Sequence, residues 1–176
     1  MIDFKSFPEI ETERLMLRKL DTNDSELIFT LRPSKEVTKY IARPLYKNLE
    51  EAKAFIKDRI KDIENNVSIV WTIRYKDSLI PVGTICLWNF SKDKKTAEVG
   101  YDMLPEFQSN GYMGEAIKSV INFGFKELQL NTIEAYTSKY NKGSIRLLNK
   151  NRFILQKERK DIDYPDNLIY SLNVDN

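Results

Sequence analysis

Apolar side chains recur along this chain with two periods, and the switches between them mark out the elements. From Glu13 to Leu20, leucines at 15, 17 and 20 fall against polar neighbours in the near-alternation of a half-buried strand. Asp21-Thr22-Asn23-Asp24 then offers side-chain oxygens for a helix start, and Leu27, Ile28 and Leu31 carry that helix as far as Pro33. A second short helical stretch to about Ile41 follows. Asn48-Leu49-Glu50-Glu51 resembles a capping box, and Ala52, Phe55, Ile56, Ile60 and Ile63 keep helical spacing until Asn65-Asn66. Val67 to Tyr75 and Leu79 to Phe90 are rich in β-branched and aromatic residues. Lys76-Asp77-Ser78 separates them, so they read as a hairpin. The charged turn Ser91 to Lys95 leads into a further strand, Thr96 to Leu104, ended by Pro105.

The clearest helix runs from Gly111 to Leu128. Met113, Ile117, Val120, Ile121, Phe125 and Leu128 share its apolar face, and Gly124 on that face predicts the close approach of a strand. Thr132 to Ser138 reads as a strand, Ser144 to Lys150 as a short helix, and Phe153 to Glu158 and Leu168 to Leu172 as two closing strands. The order predicts a mixed α/β fold with a largely antiparallel central sheet and flanking helices. Neither an internal repeat nor a Pro/Gly/Ser-rich linker divides the chain, which predicts a single domain over 1–176.

Composition removes whole classes of chemistry. The chain contains no histidine, which excludes Ser-His-Asp and Cys-His mechanisms and a His-ligated zinc. Its single cysteine, Cys86, excludes an internal disulfide and lies in an apolar strand, where it reads as a small core residue. No metal site is expected. Lys plus Arg number 28 against 26 Asp plus Glu, a balance that argues against nucleic acid as a partner. No apolar run is long enough for a membrane span, and the first residues lack the pattern of a signal peptide. The expected compartment is the cytoplasm, with a monomer or a homodimer equally compatible with the sequence.

The remaining chemistry concentrates between Glu98 and Phe153. A strand ends at Leu104, and the loop from Pro105 to Gly111 feeds the long helix. The first amides of a helix lack partners and carry partial positive charge, so a glycine there lets a phosphate or diphosphate reach the backbone. Gln108-x-x-Gly111-x-Met113 resembles the pyrophosphate loop [Q/R]-x-x-G-x-[G/A] of the Gcn5-related N-acetyltransferase (GNAT) superfamily, with Met113 departing at the last position and Gly114 following it. Three further segments resemble the RimJ/RimL-type branch. Glu13-Arg14-Leu15-Met16-Leu17-Arg18 is similar to its first strand, Ala97-Glu98-Val99-Gly100-Tyr101 to its A-E-[I/V]-G-Y strand, and Asn141-x-x-Ser144-x-x-Leu147-Leu148 to its N-x-x-S-x-x-L-L segment. The resemblance spans about Ile10 to Tyr170.

The resemblance implies an acetyl-coenzyme A-dependent N-acyltransferase acting on an amine, either a protein N-terminus or a small molecule. It implies that the fourth and fifth strands, Thr96–Leu104 and Thr132–Ser138, splay apart around the pantetheine arm. Backbone groups of Met103 and Leu104 would pair with that arm. The loop Gln108, Ser109, Asn110, Gly111, Tyr112, Met113 and Gly114 would hold the diphosphate, and Asn141 would bond near the thioester. Such a reaction needs a neutral amine, a donor for the developing oxyanion and a donor for the departing sulfur. Glu98 is the candidate base, acting directly or through water, with a solvated strand carboxylate as the alternative. Ser144 is the candidate donor to sulfur, with helix capping as a competing or added role. Many superfamily members carry a tyrosine acid one turn later, where this chain has Leu148. Arg152 replaces the usual glycine before Phe153, which predicts that the left-handed helix stop moves to Asn151. Tyr40, Trp71, Trp88 and Asn89 are expected at the core or rim of the acceptor side. A coenzyme A-binding regulatory module without turnover is the competing reading. A Rossmann-type nucleotide domain is disfavoured by the antiparallel meander before the loop.

Overall fold

A computed structural model describes residues 4, 6–32, 34, 39–40 and 45–175. The predicted second helical stretch before Ile41 falls largely outside the described residues. Among those residues, eight strands form one sheet: β1 Ile10–Glu11, β2 Leu15–Lys19, β3 Ile69–Tyr75, β4 Pro81–Trp88, β5 Thr96–Met103, β6 Thr132–Ser138, β7 Ile154–Leu155 and β8 Asn167–Asn173, in the order β1-β2-β3-β4-β5-β6-β8-β7. The helices are α1 Ser25–Leu31, α2 Leu49–Glu64, α3 Tyr112–Lys126 and α4 Lys142–Lys150. The order and type of the described elements match the expectation. The differences lie at the ends. β1 is too short to carry a pattern, and the strand expected from Phe153 to Glu158 pairs only at Ile154–Leu155.

Every neighbouring pair is antiparallel except β5 with β6. That parallel pair is short, joining Thr96–Glu98 to Thr132–Glu134. β5 then remains with β4 as far as Met103, opposite Gly83, while β6 remains with β8 as far as Ser138, opposite Asn167. The sheet therefore opens between β5 and β6, in the splay that the resemblance implied.

α3 lies against the sheet because its apolar face matches it. Trp71 on β3 is fully buried, meets Phe123 of α3 edge to face at 5.5 Å and donates its indole N–H to the Pro8 carbonyl at 2.7 Å. At Gly124 a Cβ would come within 2.9 Å of Ile133 Cδ1 on β6 and 3.2 Å of Leu130 Cδ1, so the missing side chain lets helix and strand close up. On the α1 side, Asp24 is buried at 1% exposure and joins the turn that opens α1 to β3. It pairs with Arg74 of β3, accepts from Thr72 Oγ1 at 2.7 Å and accepts from the Asp21 amide at 3.0 Å in a capping box.

Asp24→Ala leaves Arg74 and Thr72 without their carboxylate in a buried setting. We expect a loss of about 3 kcal/mol, or roughly 10 °C in Tm, measured by urea and thermal unfolding. A change below about 1 kcal/mol would show that the pair does not tie α1 to the sheet.

Candidate active site

The segment between β5 and α3 is held by its own side chains. Gln108 Nε2 donates to the Met103 carbonyl at 2.9 Å, and Asn110 Nδ2 donates to the carbonyls of Gln108 at 3.0 Å and Phe107 at 3.3 Å. Gln108 and Asn110 thus brace the loop with groups that the motif alone suggested for ligand contact. Arg14 of the β1–β2 turn braces it from outside: Nη1 donates to the Asn110 carbonyl at 3.2 Å, and Nε pairs with Glu115 Oε2 at 2.7 Å. Burial works against the Glu115 carboxylate, but hydrogen bonds from Thr12 and from the amide and guanidinium of Arg14 hold its pKa below the usual range. This Arg14–Glu115 brace was not legible from spacing, because its partners lie far apart in the chain.

The backbone of this loop is what faces outward. Ser109 has φ 64° and Gly111, the N-cap of α3, has φ 83° with no side-chain cap on the helix. The first amides of α3, Tyr112, Met113 and Gly114, are left to an external acceptor. A Cβ at Gly111 would meet only Arg14 Nη2, at 3.5 Å, so open space lies over the amides. The Tyr112 ring packs beneath Arg14 at 4.6 Å and against Tyr75 at 5.2 Å. Met113 packs partly into the core, which explains how a large residue is tolerated there. This arrangement suits a diphosphate.

From this loop a cleft of about 1000 Å³ runs between α3 and α4 to Tyr101, Asn141 and Ser144. Ladder parity sets which β5 amides face the opening. Leu104 N–H donates to the Val82 carbonyl at 3.0 Å, and Leu104 O accepts from Phe107. The Leu104 amide is therefore turned toward β4, whereas the resemblance implied that it would face a pantetheine arm. Alternation along β5 directs the amides of Met103 and Tyr101 toward the opening, although Gln108 already occupies the Met103 carbonyl.

Asn141 caps α4, its Oδ1 accepting the Ser144 amide at 3.0 Å. Ser144 is accordingly not the cap. Its buried hydroxyl meets the Tyr101 hydroxyl at 2.7 Å. Burial pushes the Tyr101 phenol up to about 12, partly offset by that hydrogen bond. Sequence reasoning missed Tyr101, since a strand tyrosine carries no signal until the partner hydroxyl is placed beside it. The stop of α4 also differs from expectation: Asn151 has φ −95°, and Arg152 takes the left-handed position at φ 65°.

Glu98 lies on the other face of β5, because strand side chains alternate and Tyr101 is of opposite parity. It lines a second cavity of about 1440 Å³ with Trp88, Asn89, Tyr136 and the 160–167 segment. Tyr40 lines both cavities. Trp71, by contrast, is core. The Glu98 carboxyl accepts from Asn89 Nδ2 at 2.5 Å. Burial raises its pKa above the usual range, Glu134 and Asp161 add to the rise, and Asn89 and Arg159 oppose it. Its neighbour across the parallel pair, Glu134, is bound by Arg159 and Tyr136. Cys86 plays no part in either cavity, and burial pushes its thiol up to about 12. Among the described residues no group of His, Cys, Asp and Glu could hold a metal ion.

Residues 14–154 match the family model described as an acetyltransferase (GNAT) domain. The chain belongs to the GNAT acetyltransferase family. It is 32% identical over 168 residues to a Bacillus subtilis (strain 168) protein named "Uncharacterized N-acetyltransferase YoaA", covering 96% of this chain and 95% of that one. Among solved structures, the ribosomal-protein-S5-alanine acetyltransferase from Vibrio fischeri superposes with a TM-score of 0.82 at 20% identity, covering 96% and 98% of the two chains. RimL, a ribosomal L7/L12 α-N-protein acetyltransferase solved in complex with coenzyme A, gives a TM-score of 0.82 at 19% identity, covering 96% and 99%. These two likenesses establish the shared GNAT fold.

Proposed function

We propose that this GNAT protein transfers an acetyl group from acetyl-coenzyme A to a primary amine by direct attack in a ternary complex. The acceptor is the N-terminal amine of a protein, such as a ribosomal protein, or a small-molecule amine, and the reaction belongs to the cytoplasm. The observation that carries this reading is the pair of cavities on opposite faces of one opened sheet. One offers uncapped helix amides and a hydroxyl pair; the other offers a carboxyl whose pKa is raised. Among the described residues no helix is long and apolar enough to cross a membrane.

Acetyl-coenzyme A would supply an activated acyl carbon and a thiol leaving group. The residues of the chain do the rest. Amides from Ser109 to Gly114 hold the diphosphate. The Tyr101 and Met103 amides face the gap where a carbonyl oxygen gains negative charge. Glu98, from the acceptor side, takes the proton of the incoming ammonium directly or through water. Its raised pKa makes it a better base than an ordinary glutamate. Tyr101 keeps its proton, and a phenol is a stronger donor and a weaker acceptor than an alcohol. Tyr101 therefore donates to Ser144 Oγ, and the Ser144 hydrogen is directed into the cleft toward the departing sulfur.

Three measurements test this reading. Gly111→Asp sets a carboxylate and a strained left-handed residue in the loop, and coenzyme A affinity should fall by roughly 100-fold or more by calorimetry. Unchanged affinity in a folded variant would remove the loop from the site. Because the Glu98 pKa is raised, wild-type kcat/KM should decline with falling pH through a value above that of an ordinary glutamate. Glu98→Gln should lose roughly 10²- to 10³-fold near neutral pH and flatten that limb, with its deficit narrowing as pH approaches the amine pKa. An unaltered profile would eliminate Glu98 as the base. Ser144→Ala should lower kcat about tenfold with little change in KM for acetyl-coenzyme A, Tyr101→Phe somewhat less, and the double variant no more than Ser144→Ala alone. Additive losses would show that the two hydroxyls act separately.

A further inference from the structure

Glu98 does not stand alone on its face of the sheet. It is the Cα partner of Glu134 in the parallel β5–β6 pair, and partnered residues of adjacent strands project to the same side. Adjacent strands lie about 4.8 Å apart, so the two carboxylates are close neighbours. The Glu134 side chain keeps only 13% exposure, and water screens its charge poorly. Like charges at such spacing disfavour each other's ionised form, so an unrelieved Glu134 would tighten the hold of Glu98 on its proton.

Arg159, in the segment after β7, relieves that repulsion. Its Nη1 pairs with Glu134 Oε1, and its Nη2 donates to Glu134 Oε2 at 3.0 Å and to the Tyr136 hydroxyl at 3.1 Å. Tyr136 donates in turn to Glu134 Oε2 at 3.2 Å, and burial raises the pKa of its phenol, so it serves as a neutral donor. Both oxygens of Glu134 are thereby engaged. Glu98 differs: Asn89 bonds its Oε1, and no described residue bonds its Oε2. One carboxylate of the pair is committed to a fork, and the other keeps an oxygen for a proton.

No other group around Glu98 duplicates this arrangement. β4 sets Trp88 opposite Glu98, which brings no charge. Asp161 adds to the repulsion, but it accepts the amides of Asp163 and Tyr164 at 3.1 Å and Asn167 Nδ2 at 2.8 Å. Asp166 pairs with Lys139. Lys39, Lys160 and Asp163 line the cavity without an ion pair to Glu98. The remaining titratable groups on this wall, Tyr40, Tyr140 and Tyr164, are phenols.

We propose that Arg159 is a positioning residue for proton transfer: by gripping Glu134 with both ends of its guanidinium it shields Glu98 from the neighbouring carboxylate and sets the pH range over which Glu98 accepts a proton from the amine. This rests on the reading of Glu98 as the base. The signs follow from the charges. Removing the Arg159 cation exposes Glu98 to the full charge of Glu134 and raises the Glu98 pKa. Removing the Glu134 charge leaves Arg159 as a nearby cation without its partner and lowers it.

Heteronuclear NMR of the full chain, with glutamate side-chain carboxyls labelled, follows Glu98 directly, its signal assigned by its loss in Glu98→Gln. At low salt Arg159→Ala should move the Glu98 titration upward by about half a pH unit or more. Glu134→Gln should move it downward, and the two substitutions together should return it close to the wild-type value. Arg159→Lys keeps the charge but not the fork, and should fall between wild type and Arg159→Ala. The opposite signs of Arg159→Lys and Glu134→Gln decide the matter even if Arg159→Ala fails to fold. A link that only held the 160–167 segment in place would be broken in the double variant too, and nothing would be restored. A Glu98 titration that stays put or moves downward without the Arg159 guanidinium overturns the proposal and leaves Glu98 standing as the base. The acid limb of kcat/KM, measured with a peptide whose N-terminal amine is free, should follow the NMR values through the series. A limb that ignores a shifted titration overturns Glu98 as the base, and with it the part of Arg159 in the reaction.

Discussion

The site exists because β5 and β6 are each held more extensively by another neighbour than by one another. β5 follows β4 to its end and β6 follows β8 to its end, while their shared parallel ladder stops at Glu98 and Glu134. Past that point the backbone groups of β5 that would have met β6 face an opening. Polar main-chain groups in such a position demand a partner, and an extended ligand with amides of its own can supply one. Pleat and parity then do the sorting. Glu98 emerges on one face of the sheet and Tyr101 on the other, so one strand lines both cavities.

Around that gap, the side chains spend their hydrogen bonds on structure so that main-chain groups remain available. Gln108 binds the last carbonyl of β5, Asn110 binds carbonyls of its own loop, Asn141 caps α4, and Glu115 anchors Arg14. The left-handed turn at Gly111 aims the first amides of α3 outward. A rigid array of amides needs no reorganisation to receive a diphosphate, whereas flexible lysines would lose rotamer freedom on binding. The same economy frees Ser144: with Asn141 as the cap, its hydroxyl is available to Tyr101 and to the cleft.

Much of this was readable from residue order. The α3 period, the Gly124 gap and the three-strand meander follow from patterns that survive in any compact packing, and Gln108-x-x-Gly111 marks the loop. Other features were not readable. β1 and β7 are two-residue strands, set by the neighbours they pair with and not by any period of their own. Leu104 looked equivalent to Met103 until the β4 ladder assigned opposite directions to their amides. The helix stop was misplaced because Asn is the better left-handed residue locally, yet Asn151 is held by its side chain to the Leu147 carbonyl at 2.8 Å and the turn passes to Arg152.

By itself the sequence determined the class of the fold, the family resemblance, the absence of histidine chemistry and the position of the glycine loop that opens α3. These depend on composition and on short-range periodicity, which any window of the chain displays. Tertiary structure alone decided that Tyr101 meets Ser144, that Glu98 stands in a different cavity from Ser144, and that Arg14 braces Glu115 at the start of α3. Each of these brings together residues from separate elements, and only the register of the sheet and the packing of helices upon it sets such distances.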